Sequence, residues 1–153
     1  MSGDLPLLYY PDPRLQIVCE PLDISDVMVQ AEVALLLARM WDVLKQHNGW
    51  GLAAPQLGSP VRAIIVHAAN GCKIEIINPE ISLLKRGGTF NSDEGCLSYP
   101  GKRVTVRRHN RVKVKGFNRW GEPVTFGGKH YQAAALQHEC EHLEGINIAD
   151  HCQ

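Results

Sequence analysis

The sequence predicts an α+β fold in which antiparallel sheets pack around a C-terminal helix, with a long helix nearer the N-terminus. Three observations carry that expectation. Apolar residues recur at three- and four-residue intervals between positions 26 and 47, short β-branched runs fill the stretch from Val61 to Phe126, and a segment rich in alanine, leucine, glutamine and glutamate follows Gly127-Gly128. No repeat, low-complexity tract or linker interrupts the 153 residues, and 44% apolar content suffices for a core, so a single domain over 1–153 is expected.

Taken in order, the elements read strand, helix, several strands, helix. The first helix is expected from Asp26 to His47, where Val33, Leu36, Leu37, Met40, Trp41 and Leu44 make one apolar stripe for core packing. Ser25 is the expected N-cap and Asn48-Gly49 the stop. The runs VRAIIV, KIEIIN, RVTV and RVKVKGF, separated by glycine, asparagine and proline, read as antiparallel strands. In RVKVK, Val112 and Val114 alternate with Arg111, Lys113 and Lys115, which predicts one buried face and one solvated face. The segment HYQAAALQHECEHLEG reads as the second helix, ended by Gly145.

Composition excludes several functions. Lysine plus arginine equals aspartate plus glutamate at 16 each, so no whole-molecule field favours nucleic acid, a membrane or acidic substrates. The opening MSGDLPLLYYPDPRL lacks a basic n-region and is cut by Pro6, Pro11 and Pro13, and apolar runs such as 33–37 are too short to cross a bilayer. A soluble, cytoplasmic protein without membrane contact is expected. Five cysteines without a CxxC pair argue against a disulfide framework; each is by default a small buried hydrophobe.

Residues 138 to 142 read HECEH. On a helix, the four-residue spacing puts His138 and His142 on one face, able to share a metal, with Glu139 one step round beside an open coordination position. The two histidines fall in register with Tyr131, Ala134 and Ala135, a small and apolar face that suggests burial. A catalytic site of this kind usually has three protein ligands. Downstream, Glu144, Asp150 and His151 are the available third donors, and none sits at the spacing of the HExxHxxGxxH pattern. Upstream, the turn-rich SDEGCLSYPG places Cys96 where a thiolate could project toward the helix. Residue chemistry by itself reaches metal-assisted amide hydrolysis.

Three blocks, GWGLAAPQ at 49–56, EGCLS at 94–98 and HECEH at 138–142, closely resemble the three signature motifs of peptide deformylases, in the family's order and approximate spacing. The resemblance implies removal of the formyl group from the N-terminal formylmethionine of nascent polypeptides, releasing formate and a free amine. It implies that Cys96, His138 and His142 bind the metal with a water as fourth ligand, and that Glu139 moves the protons. The backbone N–H of Leu97 and the side-chain amide of Gln56 are then the oxyanion donors. Gly49 and Gly51 would let backbone approach the substrate, Arg103 would stand near it, Ala134 and Ala135 would border the methionine pocket, and Glu94 would orient a histidine ligand. One sulfur and two imidazoles suit iron(II), zinc, nickel or cobalt, and the resemblance favours iron(II).

The chain departs from the family pattern in two places. The third motif is usually HExDH, so Glu141 adds a methylene, from which an altered contact around the ligands and no change of reaction is expected. The chain stops eleven residues after His142, without the C-terminal helix associated with ribosome docking. Action on nascent chains without stable ribosome attachment, and a reduced or viral version of the family, both stay open; a monomer is expected. Two other functions compete with deformylation. An ordinary HExxH peptidase would take its third ligand elsewhere and keep its metal in Cys96→Ala, and a zinc-stabilised binding module would have four protein ligands and no role for Glu139.

Overall fold

The computed structural model describes residues 6–152; the first five residues, part of the opening read for a signal peptide, lie outside the described residues. No strand precedes the first helix among the described residues, contrary to the expected order. Pro13–Gln16 forms a 3-10 turn capped by the Asp12 carboxylate, and only single bridges follow, Val18 to Glu144 and Glu20 to Val61. Pro11, Pro13 and Pro21 have no N–H to give to a ladder, so this segment pairs only at single residues.

The long helix α1 spans Val27–His47. Its N-cap is Asp26, whose carboxylate accepts the Met28 N–H at 2.8 Å, and not Ser25. Both residue types cap well, but the Ser25 hydroxyl is turned back to donate to the Asp23 carboxylate. Asn48 ends the helix in the left-handed conformation, φ 53°, which asparagine tolerates. Val33, Leu37, Met40 and Leu44 are buried, while Leu36 and Trp41 of the expected stripe are half-buried.

Seven strands follow among the described residues: β1 (Gly51–Ala53), β2 (Ala63–His67), β3 (Lys73–Leu83), β4 (Thr89–Cys96), β5 (Tyr99–His109), β6 (Arg111–Phe117) and β7 (Pro123–Lys129). Five form one antiparallel sheet in the order β1-β2-β3-β6-β7, and β4 pairs with β5 in a second. The helix α2 (Tyr131–Leu143) closes the fold. Gly145, φ 75°, supplies the left-handed turn just beyond it, and a Cβ there would sit 2.7 Å from the Gln16 carbonyl oxygen.

The apolar run AIIV in β2 is explained by its neighbours. Ile64 and Val66 point to the α2 side, where they join Leu136 and Leu143, while Ala63 and Ile65 point to the α1 side and meet Leu37 and Leu44. A strand covered on both faces reads as an uninterrupted hydrophobic run. Each fully buried leucine or isoleucine there stabilises by about 1.5–3 kcal/mol. Toward the sheet edge, Val112 and Val114 of β6 are buried and Arg111, Lys113 and Lys115 exposed, as their alternation predicts.

Strand β4 is polar, TFNSDEGC, and the sequence reading saw only a turn-rich segment there. Its backbone is held by pairing with β5 from Thr89↔His109 to Cys96↔Tyr99. The end of α2 is fixed separately. Arg62 donates to the carbonyl oxygens of Cys19, Leu143 and Pro79 and pairs with Glu144 at 2.7 Å.

Candidate metal centre

Cys96 is the last residue of β4, reached after a register irregularity between Glu94 and Cys96. Such bulges re-aim side chains. Here the result is that the thiol faces α2, with its Sγ 3.5 Å from Nε2 of His142. His138 lies one helical turn before His142, their ring centroids 5.2 Å apart. Donor atoms of Cys96, His138 and His142 all lie within 4.8 Å of one another. Tetrahedral donors about 2.0–2.3 Å from an ion stand about 3.5 Å apart, so these residues fit a divalent metal with little adjustment.

The downstream donors serve elsewhere. Glu144 pairs with Arg62, Asp150 accepts the Asn147 N–H at 2.8 Å, and His151 meets Glu141 at 3.1 Å. Among the described residues, the donor cluster consists of Cys96, His138 and His142. Among the described residues no fourth side chain joins them to make the shell of a closed structural site.

Glu94 lies 3.0 Å from Nδ1 of His138, which leaves Nε2 as that ring's free donor. Burial opposes ionisation of Glu94, but hydrogen bonds from Arg108 and His138 outweigh it and hold the carboxyl at about 2. Burial would also lower the His138 pKa; Glu139, Cys96 and Glu94 around it raise it instead. That negative surrounding complements a cation. Burial, then the neighbouring His138 and Arg108, lower the His142 pKa, so its ring is neutral as a ligand must be.

Glu139 is buried beside the donor cluster. Its Oε1 has no hydrogen-bond partner among the described residues, and burial pushes its carboxyl up to about 7, against the lowering pull of His138. A Cβ on Gly51 would stand 2.8 Å from Glu139 Oε2, so glycine is required there to leave the carboxylate its place. Gln56 is fixed by its own backbone neighbour. Its Oε1 accepts the Ala53 N–H at 2.9 Å, which turns Nε2 toward Ser98 Oγ (3.1 Å) and Cys96 Sγ (3.6 Å).

These groups open into a cleft of about 990 Å³. Its lining brings together Gln56, Glu94, Cys96, Leu97, His138 and Glu139, with Gly49, Gly51, Ala134 and Ala135 around them. His142 lies behind, 1% exposed. Arg103 stands on the cleft wall, but its guanidinium is bound to Asp93 at 3.0 Å and both side chains are about two-thirds exposed, 64% and 68%. An exposed pair of this kind contributes little to stability and releases easily.

Arg108 is a site residue that the sequence reading did not single out. It is 2% exposed and donates Nε and Nη2 to Glu94 at 2.9 and 2.8 Å, and Nη1 to Glu141 at 2.8 Å. The signal was its phase. Val104, Val106 and Arg108 share the inward face of β5, while Arg103, Thr105 and Arg107 face water. Glu141 thereby acquires a defined contact around the ligands, shared with His151 through the same Oε1. Ser98, 1% exposed and bonded to Gln56, was also missed and carried no such signal.

The chain matches the family model described as polypeptide deformylase over residues 4–153. A peptide deformylase from Carboxydothermus hydrogenoformans is 42% identical over 135 residues, 88% of this chain and 84% of that protein. Crystal structures superpose closely. The peptide deformylase of Thermotoga maritima gives a TM-score of 0.87 at 34% identity, covering 97% of both chains. The class I type b enzyme of Acinetobacter baumannii, bound to Met-Ala-Ser, gives 0.86 at 29% identity, covering 98% of this chain and 99% of that one.

Proposed function

Since this chain belongs to the polypeptide deformylase family and removes the formyl group from nascent polypeptides, we propose that Cys96, His138 and His142 hold one divalent metal ion and that Glu139 carries the proton. The convergence of three donors within 4.8 Å at the floor of a cleft, with a buried carboxyl beside them, is the observation that carries this reading. Thiolate and imidazole donors suit iron(II), zinc, nickel or cobalt, and iron(II) is the proposed native ion. The substrates are N-formylmethionyl peptides. The A. baumannii relative bound to Met-Ala-Ser supports a peptide that begins with methionine.

When bound, the ion acidifies a water and polarises the formyl carbonyl. Glu139 would take a proton from the attacking water as the water oxygen adds to the formyl carbon, and pass a proton to the amine nitrogen as the C–N bond breaks. Its buried carboxyl, held at about 7, is suited to accept and release a proton near neutrality. Gln56 Nε2 and the Leu97 N–H donate to the formyl oxygen as it gains charge. The products are formate and a free N-terminal amine. Gly49 and Gly51 admit the peptide backbone, Ala134 and Ala135 leave room for the methionine side chain, and Arg103 faces the chain beyond it. Glu94 keeps His138 turned toward the ion.

No helix of the described residues is long and apolar enough to cross a membrane. The reading takes residues 1–153 as one catalytic domain, working as a cytoplasmic monomer. Its test is formate release from a formyl-Met tripeptide by anaerobically prepared, iron- or nickel-loaded protein, with Glu139→Ala as control. Rapid release by the wild type and loss in the variant is the expected result. A wild type that binds one metal per chain and releases no formate would overturn it.

A further inference from the structure

Lysine plus arginine balances aspartate plus glutamate over the whole chain, and that balance hides an uneven distribution. Arg111, Lys113 and Lys115 alternate with the buried Val112 and Val114, so all three stand on the side of the five-stranded sheet that faces away from α2. On that side α1 covers the sheet as far as Phe117, which packs with the cluster of Leu37 and Leu44. From Lys115 to Arg111 the face is open. Lys129 of β7 stands directly opposite Arg111, while Gly127 and Thr125 oppose Lys113 and Lys115. On the other flank, Ser82 and Glu80 of β3 oppose the same two lysines.

A 3-10 turn, Lys85–Gly87, extends the patch. The Leu84 N–H donates to the Arg111 carbonyl oxygen at 3.0 Å, and a Cβ on Gly87 would stand 2.7 Å from Arg111 Cγ. The turn is therefore folded against the Arg111 side chain, with Lys85 and Arg86 beside it. All of these cations are exposed, and among the described residues none of them makes an ion pair with a carboxylate. Glu80 is the acid in their midst, so the rest of the chain carries the acidic excess. Like charges placed directly opposite across a ladder, as Arg111 and Lys129 are, cost stability. An anion held between them removes that cost.

We propose that this sheet face docks on duplex RNA through the phosphate backbone, without reading sequence. Lys113 and Lys115 project about 7 Å apart along their strand, a row of charge that suits a row of phosphates. Between the cations lie Ser82, Thr125 and Gly127, with no ring on which the bases of a single strand could stack. At the margin Leu84, 40% exposed, offers too little apolar surface to anchor in a lipid headgroup layer. A nascent polypeptide is still tethered to an RNA-rich particle, so folded RNA is the polyanion within reach of the substrate. Lys129 also runs directly into His130 and Tyr131, and Tyr131 lines the cleft, which sets the active site beside the docked helix. From the deformylase activity the inference takes only the choice of RNA among polyanions, and its test needs no turnover.

The test is fluorescence anisotropy with a labelled RNA hairpin, run on the full chain without peptide. Wild type is expected to bind with a Kd on the order of micromolar at about 50 mM salt, and to lose about a hundredfold in affinity by about 200 mM, as roughly four phosphate contacts require. Lys113→Glu/Lys129→Glu, and the milder Lys113→Gln/Lys129→Gln, should weaken binding by about tenfold or more and lower the salt slope by about two contacts. Lys45→Glu/Arg107→Glu makes the same change of net charge elsewhere and should bind RNA as wild type does. Unaltered formate release from a formyl-Met tripeptide is expected of every variant and shows that each is folded. No RNA binding by wild type, an equal loss in the Lys45/Arg107 variant, or partition onto phosphatidylserine vesicles without affinity for the hairpin overturns the inference. Absence of formate from wild type, with RNA binding as expected, would instead count against the deformylase reading.

Discussion

Arg108 and Glu94 form a two-pronged ion pair, 2.9 and 2.8 Å, in which the oxygen receiving Nη2 is also 3.0 Å from the Nδ1 of His138. A strand arginine thus positions a helix histidine through one carboxylate. Both side chains of the pair are under one-tenth exposed, 3% and 9%, so its value lies in geometry as much as in Coulomb energy.

Removing one member should therefore be costly. Arg108→Ala strands Glu94 as a buried, uncompensated carboxylate, with an expected loss of about 3–5 kcal/mol measurable by urea unfolding. Arg108→Lys keeps the charge but cannot bridge Glu94 and Glu141 with a planar fork. It should fold better than Arg108→Ala and still bind metal about tenfold to a hundredfold more weakly than wild type, read by competition with a chelator. Wild-type affinity in Arg108→Lys would show that the pair does not position His138.

Gly51 offers a test that changes no polar group. In Gly51→Ala the new methyl would meet Glu139 Oε2 at 2.8 Å, Glu139 Cγ at 3.0 Å and the Ile65 carbonyl oxygen at 3.0 Å. Glu139 must move. Formate release should fall by about a hundredfold or more with metal content unchanged, at a stability cost of about 1–3 kcal/mol. Near-normal turnover would mean that Glu139 need not occupy the observed position.

Gln56→Ala removes the Nε2 donor beside Cys96. If Gln56 is the proposed oxyanion donor, the expected loss in kcat is about a hundredfold to a thousandfold with a small change in KM, because such a bond strengthens as charge develops on the formyl oxygen. A loss confined to KM would reassign Gln56 to ground-state binding.

The cysteines report metal directly. Cys72 and Cys152 are exposed, Cys19 and Cys140 are buried, and Cys96 is half-buried at the cleft. Burial raises the Cys19 pKa and pushes that of Cys140 up to about 12, which keeps both unreactive thiols. With metal bound, an alkylating reagent near pH 8 should modify Cys72 and Cys152 alone, as read by peptide mass mapping. Chelation should add Cys96, and denaturation the remaining two. Rapid labelling of Cys96 in the loaded protein would remove it from the ligand set.

The parts of this molecule legible in the sequence were those with a short-range pattern. The α1 stripe, the AIIV strand, the alternation of Val112 and Val114 and the His138/His142 spacing each follow from one element's own geometry. The polar strand β4 was hidden because Asn91, Ser92, Asp93 and Glu94 have little intrinsic preference for strand; their conformation comes from pairing with β5. The cap lies at Asp26 and not Ser25 because Asp23 takes the Ser25 hydroxyl, a contact between residues that all look like good caps. Arg108 was obscured by its neighbours Arg103, Arg107 and Arg111, and only the inward phase of β5 separates it from them. The glutamate it binds lies on the partner strand, fourteen residues earlier.

The donor set draws its sulfur from the two-stranded sheet and both nitrogens from the helix on the larger sheet. An ion held there is a rivet between two pieces of architecture. Chelating it should loosen the β4–β5 hairpin before the five-stranded sheet gives way, with hydrogen exchange quickening first at Ser92 and Val106. The occupancy that turns the enzyme on would then also set how long the chain survives a protease.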